Sequence, residues 1–211
     1  MFNDRFEAGD KLAQKLSEEL YLENLSNTAI LAIPRGGVLV GSKLKEKFRI
    51  PLDVLIIKKI PSPQSDDLTI GAVGEGGVVV WEDSLIKKLN IPIKYRQEIV
   101  KEKIEEFEKK ERELRGKDVA FDLKRKTVIL VDDGISSGAT MKAAVLVVKT
   151  YNPAEIIVAV PVIAAEVLED FKKMVDRVVY LESPELFFSL EEHYRDFHQP
   201  KDEEIIELLN K

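Results

Sequence analysis

The sequence predicts an α/β fold: an open, mostly parallel twisted sheet with helices on both faces, a helical insertion and a C-terminal tail. Three observations point there. Short runs of Val, Ile and Leu alternate with stretches of helical periodicity, the pattern of right-handed βαβ units. One such run, Thr127–Val131, exits directly into two aspartates and a cluster of small residues that opens a helix. The composition, 45 % apolar and 33 % charged over 211 residues, is enough to bury one core and keep a polar surface. The expectation is a single domain over 1–211, with an inserted hairpin and charged helix at about 70–118.

The elements follow in order. Asn3 or Asp4 caps a first helix on which Phe6, Leu12, Ala13, Leu16 and Leu20 recur at helical spacing. Thr28–Ile33 is a short apolar strand, ended by Pro34 and the Arg35-Gly36-Gly37 turn, and the stretch from Val38 to Phe48 is helical. Asp53–Ile57 is a second β-branched strand, closed by Lys58 and Lys59. The prolines and polar residues of 61–69 read as a loop, and the two apolar runs around Gly74-Glu75-Gly76-Gly77 as a β-hairpin. Residues 85–115 are helix-forming and heavily charged, with only a thin stripe of Ile99, Ile104 (or Val100), Phe107, Glu111 and Leu114. Such a helix lies on a surface or packs against a partner chain. After the Thr127–Val131 strand come a helix to Tyr151, a strand at Ile156–Val160, a helix at Ala164–Met174, a strand at Arg177–Leu181 and a terminal helix near Asp202–Leu209.

Composition closes off several classes of function. With no cysteine there is neither disulfide nor thiolate chemistry. A net charge of −6 opposes a broad nucleic-acid-coating face. No apolar run approaches the ~18 residues that span a bilayer, and MFNDRFEAGDKL is charged from its third residue, unlike a signal peptide. A soluble cytoplasmic protein is expected, with no nucleic-acid or membrane partner.

The chemistry concentrates in VILVDDGISSGAT, residues 128–140. Ligands of open α/β sheets bind beyond the carboxyl ends of the strands. A turn without bulky side chains lets backbone N–H groups converge on a phosphate, and the helix N-terminus adds about half a positive charge. Gly134, Ile135, Ser136, Ser137, Gly138, Ala139 and Thr140 make that turn. Asp132 and Asp133 would be repelled by the phosphate; they suit sugar hydroxyls or a cation. The motif therefore suggests a sugar with a 5′-phosphate.

This segment resembles the phosphoribosyl pyrophosphate (PRPP) signature of type I phosphoribosyltransferases: an apolar strand, two acids, then a small-residue loop ending in Thr. Gly134 departs from it, since many members carry an apolar residue there. The likeness implies that Asp132 and Asp133 hold the ribose 2′- and 3′-hydroxyls and that residues 135–140 cradle the 5′-phosphate. It further implies a pyrophosphate loop at Ile33-Pro34-Arg35-Gly36-Gly37 and a pyrophosphate cation at Lys58 or Lys59, which alternate faces so that at most one serves. The layout, including Tyr194-Arg195-Asp196-Phe197, is similar to that of stand-alone phosphoribosyltransferase-like proteins. The activity implied by the resemblance is a pentosyl transfer from PRPP with release of pyrophosphate. Mg²⁺ carried on PRPP, an acceptor (a nucleobase) under a hood-like tail, and a homodimer are implied with it. A non-catalytic PRPP- or nucleotide-binding regulator is the alternative.

Other features carry less. Gly71, Gly74, Gly76 and Gly77 have the wrong order for a dinucleotide fingerprint. His193 and His198 flank Asp196 at a spacing poor for a helical metal pair. Phe187, Phe188, Tyr194 and Phe197 are open to two readings, stacking on an acceptor or packing in the core.

Overall fold

A computed structural model describes residues 1–19, 25–115 and 122–210. Its elements are α1 (Arg5–Glu19), β1 (Thr28–Ala32), α2 (Gly36–Phe48), β2 (Leu52–Val54), β3 (Lys58–Ser62), β4 (Ser65–Val73), β5 (Val79–Trp81), α3 (Asp83–Lys88), α4 (Ile93–Arg115), β6 (Thr127–Val131), α5 (Ala139–Lys149), β7 (Glu155–Val162), α6 (Ala165–Met174), β8 (Arg177–Glu182) and α7 (Asp202–Asn210).

The main sheet is parallel throughout, in the order β2-β1-β6-β7-β8. Strict alternation along each strand divides the core. Ile129, Val131, Ile157 and Ala159 face Leu12, Leu16, Leu39 and Leu44 of α1 and α2. Val128, Leu130, Ile156 and Val158 face Val145, Val148 and Phe171 of α5 and α6. Helices on opposite faces follow from side chains that point to opposite faces at every step. The order also fixes where a ligand sits. From β1 the chain crosses outward to β2, and from β6 it crosses the other way to β7, so the carboxyl ends of β1 and β6 diverge into a crevice.

At the start of α1 the Asp4 carboxylate accepts from the Glu7 N–H at 2.7 Å, which makes Asp4 the cap. Leu12, Ala13 and Leu16 are buried as the periodicity requires, and Leu20 lies outside the described residues.

The structure corrects the region after β2. Strand pairing stops at Val54, and Lys58 and Lys59 begin a separate strand rather than ending the second one. The 61–69 stretch is no loop: β3 and β4 form an antiparallel hairpin turning at Pro63-Gln64. Pro61 argues for a loop in sequence, yet a proline is tolerated where β3 is the edge of the β3-β4-β5 sheet and its register shifts at Ile60/Pro61. The hairpin around residues 74–77 is present as β4–β5. The charged helix breaks in two at Asn90, whose φ is 50°, and Pro92. Its stripe is covered within the chain. Phe107 and Leu114 are buried, Ile99, Val100 and Ile104 half-buried, and α4 packs on β3, β4 and α7. Among the described residues no helix is long and apolar enough to cross a membrane.

Candidate functional site

Two loops meet in the crevice between β1 and β6. Residues 33–37 leave β1 through a cis Pro34–Arg35 peptide and are tied to the neighbouring strand by Ile33 N–H to the Val131 carbonyl, 2.8 Å. The contact is backbone on backbone: a Cβ at Gly37 would stand 2.7 Å from the Val131 carbonyl oxygen and 2.9 Å from the Asp132 Cα. Only a residue without a side chain fits there.

The second loop leaves β6. Ile135 N–H donates to the Val162 carbonyl and the Ile135 carbonyl accepts from Ala164, both at 2.8 Å, so the turn is pinned to the end of β7. Ile135 itself points into the core. Gly138 turns the chain into α5 with a φ of 76°, and a side chain there would also meet the Phe171 ring at 2.8 Å. The turn borders an open cavity of about 70 Å³ lined by Asp132 and residues 134–141, with the first turn of α5 as part of its wall. One water needs about 10–15 Å³ of such space, so the pocket takes a small polar group of several heavy atoms, such as a phosphoryl group. Ser136 and Ser137 are exposed at its rim.

The two acids stand apart in environment. Asp132 is partly exposed and lines the cavity; its Oδ1 accepts from the Asp133 N–H at 2.9 Å. Burial pushes its carboxyl well above the usual carboxylate range, the adjacent Asp133 carboxylate pushes the same way, and Arg5 pulls against both. Asp133 is 8 % exposed and turns inward. Its Oδ2 takes Nε of Arg5 at 2.6 Å, and its carbonyl accepts from the Tyr194 hydroxyl at 2.5 Å. A Cβ at Gly36 would overlap the Asp133 carboxylate, so the loop after β1 rests directly on that ion pair. Burial, and then the Asp133 charge, drive the Tyr194 phenol far above its ordinary range, which keeps it a hydrogen-bond donor.

Two of the three cations expected on the pyrophosphate side are already paired. Nε of Arg35 donates to Asp202 at the head of α7, 3.0 Å, and Asp202 also receives Lys110 of α4 at 2.9 Å. Lys58 turns to Glu106 of α4 at 3.7 Å, whereas Lys59 is exposed.

The tail aromatics divide. Tyr194 braces Asp133, Phe197 lies under the Arg5 guanidinium at 3.8 Å, and Phe187 stacks on His193. Phe188 is 79 % exposed. His193 pairs with Glu182, and His198 with Asp196 and Glu204. No group of three or more His, Cys, Asp or Glu able to hold a metal occurs among the described residues.

Two residues escaped the sequence. Arg5 carried a signal: it stands at the helical phase of Leu12 and Leu16, a cation on the apolar stripe of α1. Leu190 carried none. Its side chain occupies the space that a Cβ at Gly134 would need, which gives the departure at that position a partner.

Residues 3–194 match the phosphoribosyl transferase domain. Two Mycobacterium tuberculosis proteins, each named "Putative phosphoribosyl transferase" (MT0597 of strain CDC 1551 / Oshkosh and Rv0571c of strain ATCC 25618 / H37Rv), are 34 % identical to the chain over 214 residues. The match takes in all of this chain and 47 % of each relative. The crystal structure of TT1426 from Thermus thermophilus superposes with a TM-score of 0.85 at 32 % identity, covering 99 % of this chain and 97 % of that one. AQ2163 from Aquifex aeolicus shares the fold at 14 % identity and a TM-score of 0.51, over 84 % of this chain and 73 % of that one. The family match spans both loops, the acid pair and Tyr194 behind it, and the chain belongs to the phosphoribosyl transferase family.

Proposed function

We propose that the chain moves a 5-phosphoribosyl group from PRPP to a nucleobase-type acceptor and releases pyrophosphate. The phosphate-sized cavity beyond β6, walled by small residues and a helix N-terminus with a carboxylate at its edge, supports this above all else. The 5′-phosphate belongs against residues 135–140, and the ribose hydroxyls at the end of the cavity marked by the acid pair, where Asp132 lines it. Bond breaking at the anomeric carbon places positive character on the ribose ring. The protein's share is to hold donor and acceptor in line and to meet developing charge with groups already in place.

Arg35, with Lys58 or Lys59, serves the pyrophosphate. Arg35 and Lys58 now face carboxylates across partly exposed ion pairs, Asp202 and Glu106. Such pairs hold weakly, and pyrophosphate replaces one anion with another. Mg²⁺ fits as a passenger on PRPP. Asp132 offers one hard oxygen ligand beside the cavity, and the metal would neutralise charge on the leaving pyrophosphate. For the acceptor, Phe188 offers an exposed ring two residues from Leu190, which packs on the loop at Gly134. The protein is expected to pair with a second copy, at twice the 23.9 kDa chain mass by light scattering.

The test is incubation with PRPP, Mg²⁺ and separate bases (hypoxanthine, guanine, adenine, xanthine, orotate, uracil), following pyrophosphate. Release with one base and not the others is the expected result. PRPP binding with no release in any arm would overturn transfer and leave a binding protein.

A further inference from the structure

We propose that Arg5 is a positioning residue that holds Asp133 from behind, so that Asp132 alone presents its carboxylate to the bound sugar. The proposal rests on the reading of the cavity as a ribose 5-phosphate site, and it divides the acid pair into two jobs.

The division is written in the surroundings of the two acids. Asp132 borders the cavity; Asp133 does not line it and is 8 % exposed. The Asp133 carboxylate is engaged by Arg5, which is 2 % exposed and therefore buried on every side. The guanidinium has little freedom. Nε is spent on Asp133, Nη1 donates to the His198 carbonyl at 2.9 Å, and one face lies on Phe197 at 3.8 Å. Arg5 thus joins three distant parts of the chain: the first turn of α1, the end of β6 and the tail.

Gly36 makes the arrangement matter to the site. A side chain there would overlap the Asp133 carboxylate and lie 2.9 Å from Nε of Arg5. The backbone next to Arg35 therefore rests on the Arg5–Asp133 pair, and Asp132 is fixed by its own bond to the Asp133 N–H. If Asp133 turned outward it would add a second carboxylate to the cavity and remove the support of the 33–37 loop. A buried charge pair of this kind contributes little net stability, but it specifies one arrangement where two neighbouring acids allow several.

The test compares two ligands on the full chain. Inorganic phosphate reads the 135–140 turn alone; ribose 5-phosphate reads the turn plus Asp132. In the wild type, ribose 5-phosphate should bind at least about tenfold tighter than phosphate, as expected of charge-assisted hydrogen bonds. Asp132→Asn should lose that advantage. Arg5→Lys keeps the charge and loses the planar fork; its phosphate affinity should stay within about twofold while the advantage of ribose 5-phosphate falls about tenfold. Phe197→Leu leaves every charge in place and frees one guanidinium face, and should lower the advantage about threefold. This second variant keeps the proposal testable if Arg5→Lys does not fold. Parallel weakening of both ligands would reduce Arg5 to a structural part, and an undiminished advantage in either variant would also overturn the proposal. A wild type that binds both ligands equally would instead remove the sugar-phosphate reading, and the proposal with it.

Discussion

Gly36 is a glycine because a carboxylate occupies the only place its side chain could go. Gly36→Ala should therefore push Asp133 off Arg5, and overpacking of this kind costs about 1–3 kcal/mol. Urea denaturation would show the loss, and ribose 5-phosphate affinity should fall with it; a variant as stable as the wild type would mean the loop is free to move away. Asp133→Asn tests the same contact from the other side. It leaves the buried Arg5 guanidinium without its counter-charge, a loss of about 3–5 kcal/mol by the same measurement. A stability change under about 1 kcal/mol would show that the pair is solvated rather than buried. Residues 128–140 are legible in sequence because an apolar strand, two acids and small residues are adjacent. Arg5 is hidden by distance, 128 positions from the acid it serves. Only its phase on α1 could mark it, and a single cation on an apolar stripe does not name its partner.

At the scale of elements, the same contrast separates the two sheets. The inner strands β1, β6 and β7 of the parallel sheet are buried on both faces and announce themselves as apolar runs, while the edge strand β8 is half-exposed. Thr127–Val131 was legible to the residue, and β7 and β8 nearly so. The β3–β4 hairpin was not. It is partly exposed, carries Pro61, and bulges where the proline sits, so its alternation is broken. The second sheet is held to the rest by α5, which packs on β4 and β5, and by α4, through a stripe too thin to say whether it met this chain or another. Phe107 is the centre of that stripe at 2 % exposure. Phe107→Ala should cost about 3–5 kcal/mol, as truncation of a buried aromatic does. Hydrogen exchange should show faster exchange in β3–β5 and α4 than in β1 and β6. Equal acceleration everywhere would mean the two sheets unfold as one unit.

For the whole molecule, the site is paid for in stability, and pH reveals the amount. Most perturbed carboxylates are ordinary surface partners. Glu106 and Asp202 are held below their usual range: at Glu106 burial, the largest single influence, is overcome by Lys103 and Lys58 together, and at Asp202 Lys110 leads and outweighs burial. Their contribution is complete above the unfolded carboxylate range, near 4, and is lost as pH falls through their lowered values. Asp132 runs the other way. Burial and the Asp133 charge raise it, so the folded chain holds its proton more tightly than the unfolded chain does. Folding stability must then decline as pH rises from the ordinary aspartate value of 3.8 through the raised one. For these three carboxylates the two opposing slopes place the largest contribution to stability on the acid side of neutrality. Asp132→Asn removes the ionising group and keeps an oxygen able to accept from the Asp133 N–H. The variant should melt at a higher temperature than the wild type at pH 7, and the difference should shrink as pH is lowered toward 4. Its sugar-phosphate binding should be the poorer of the two. A wild type at least as stable at pH 7 would show that Asp132 ionises in the folded chain at no cost, despite the buried Asp133 carboxylate beside it.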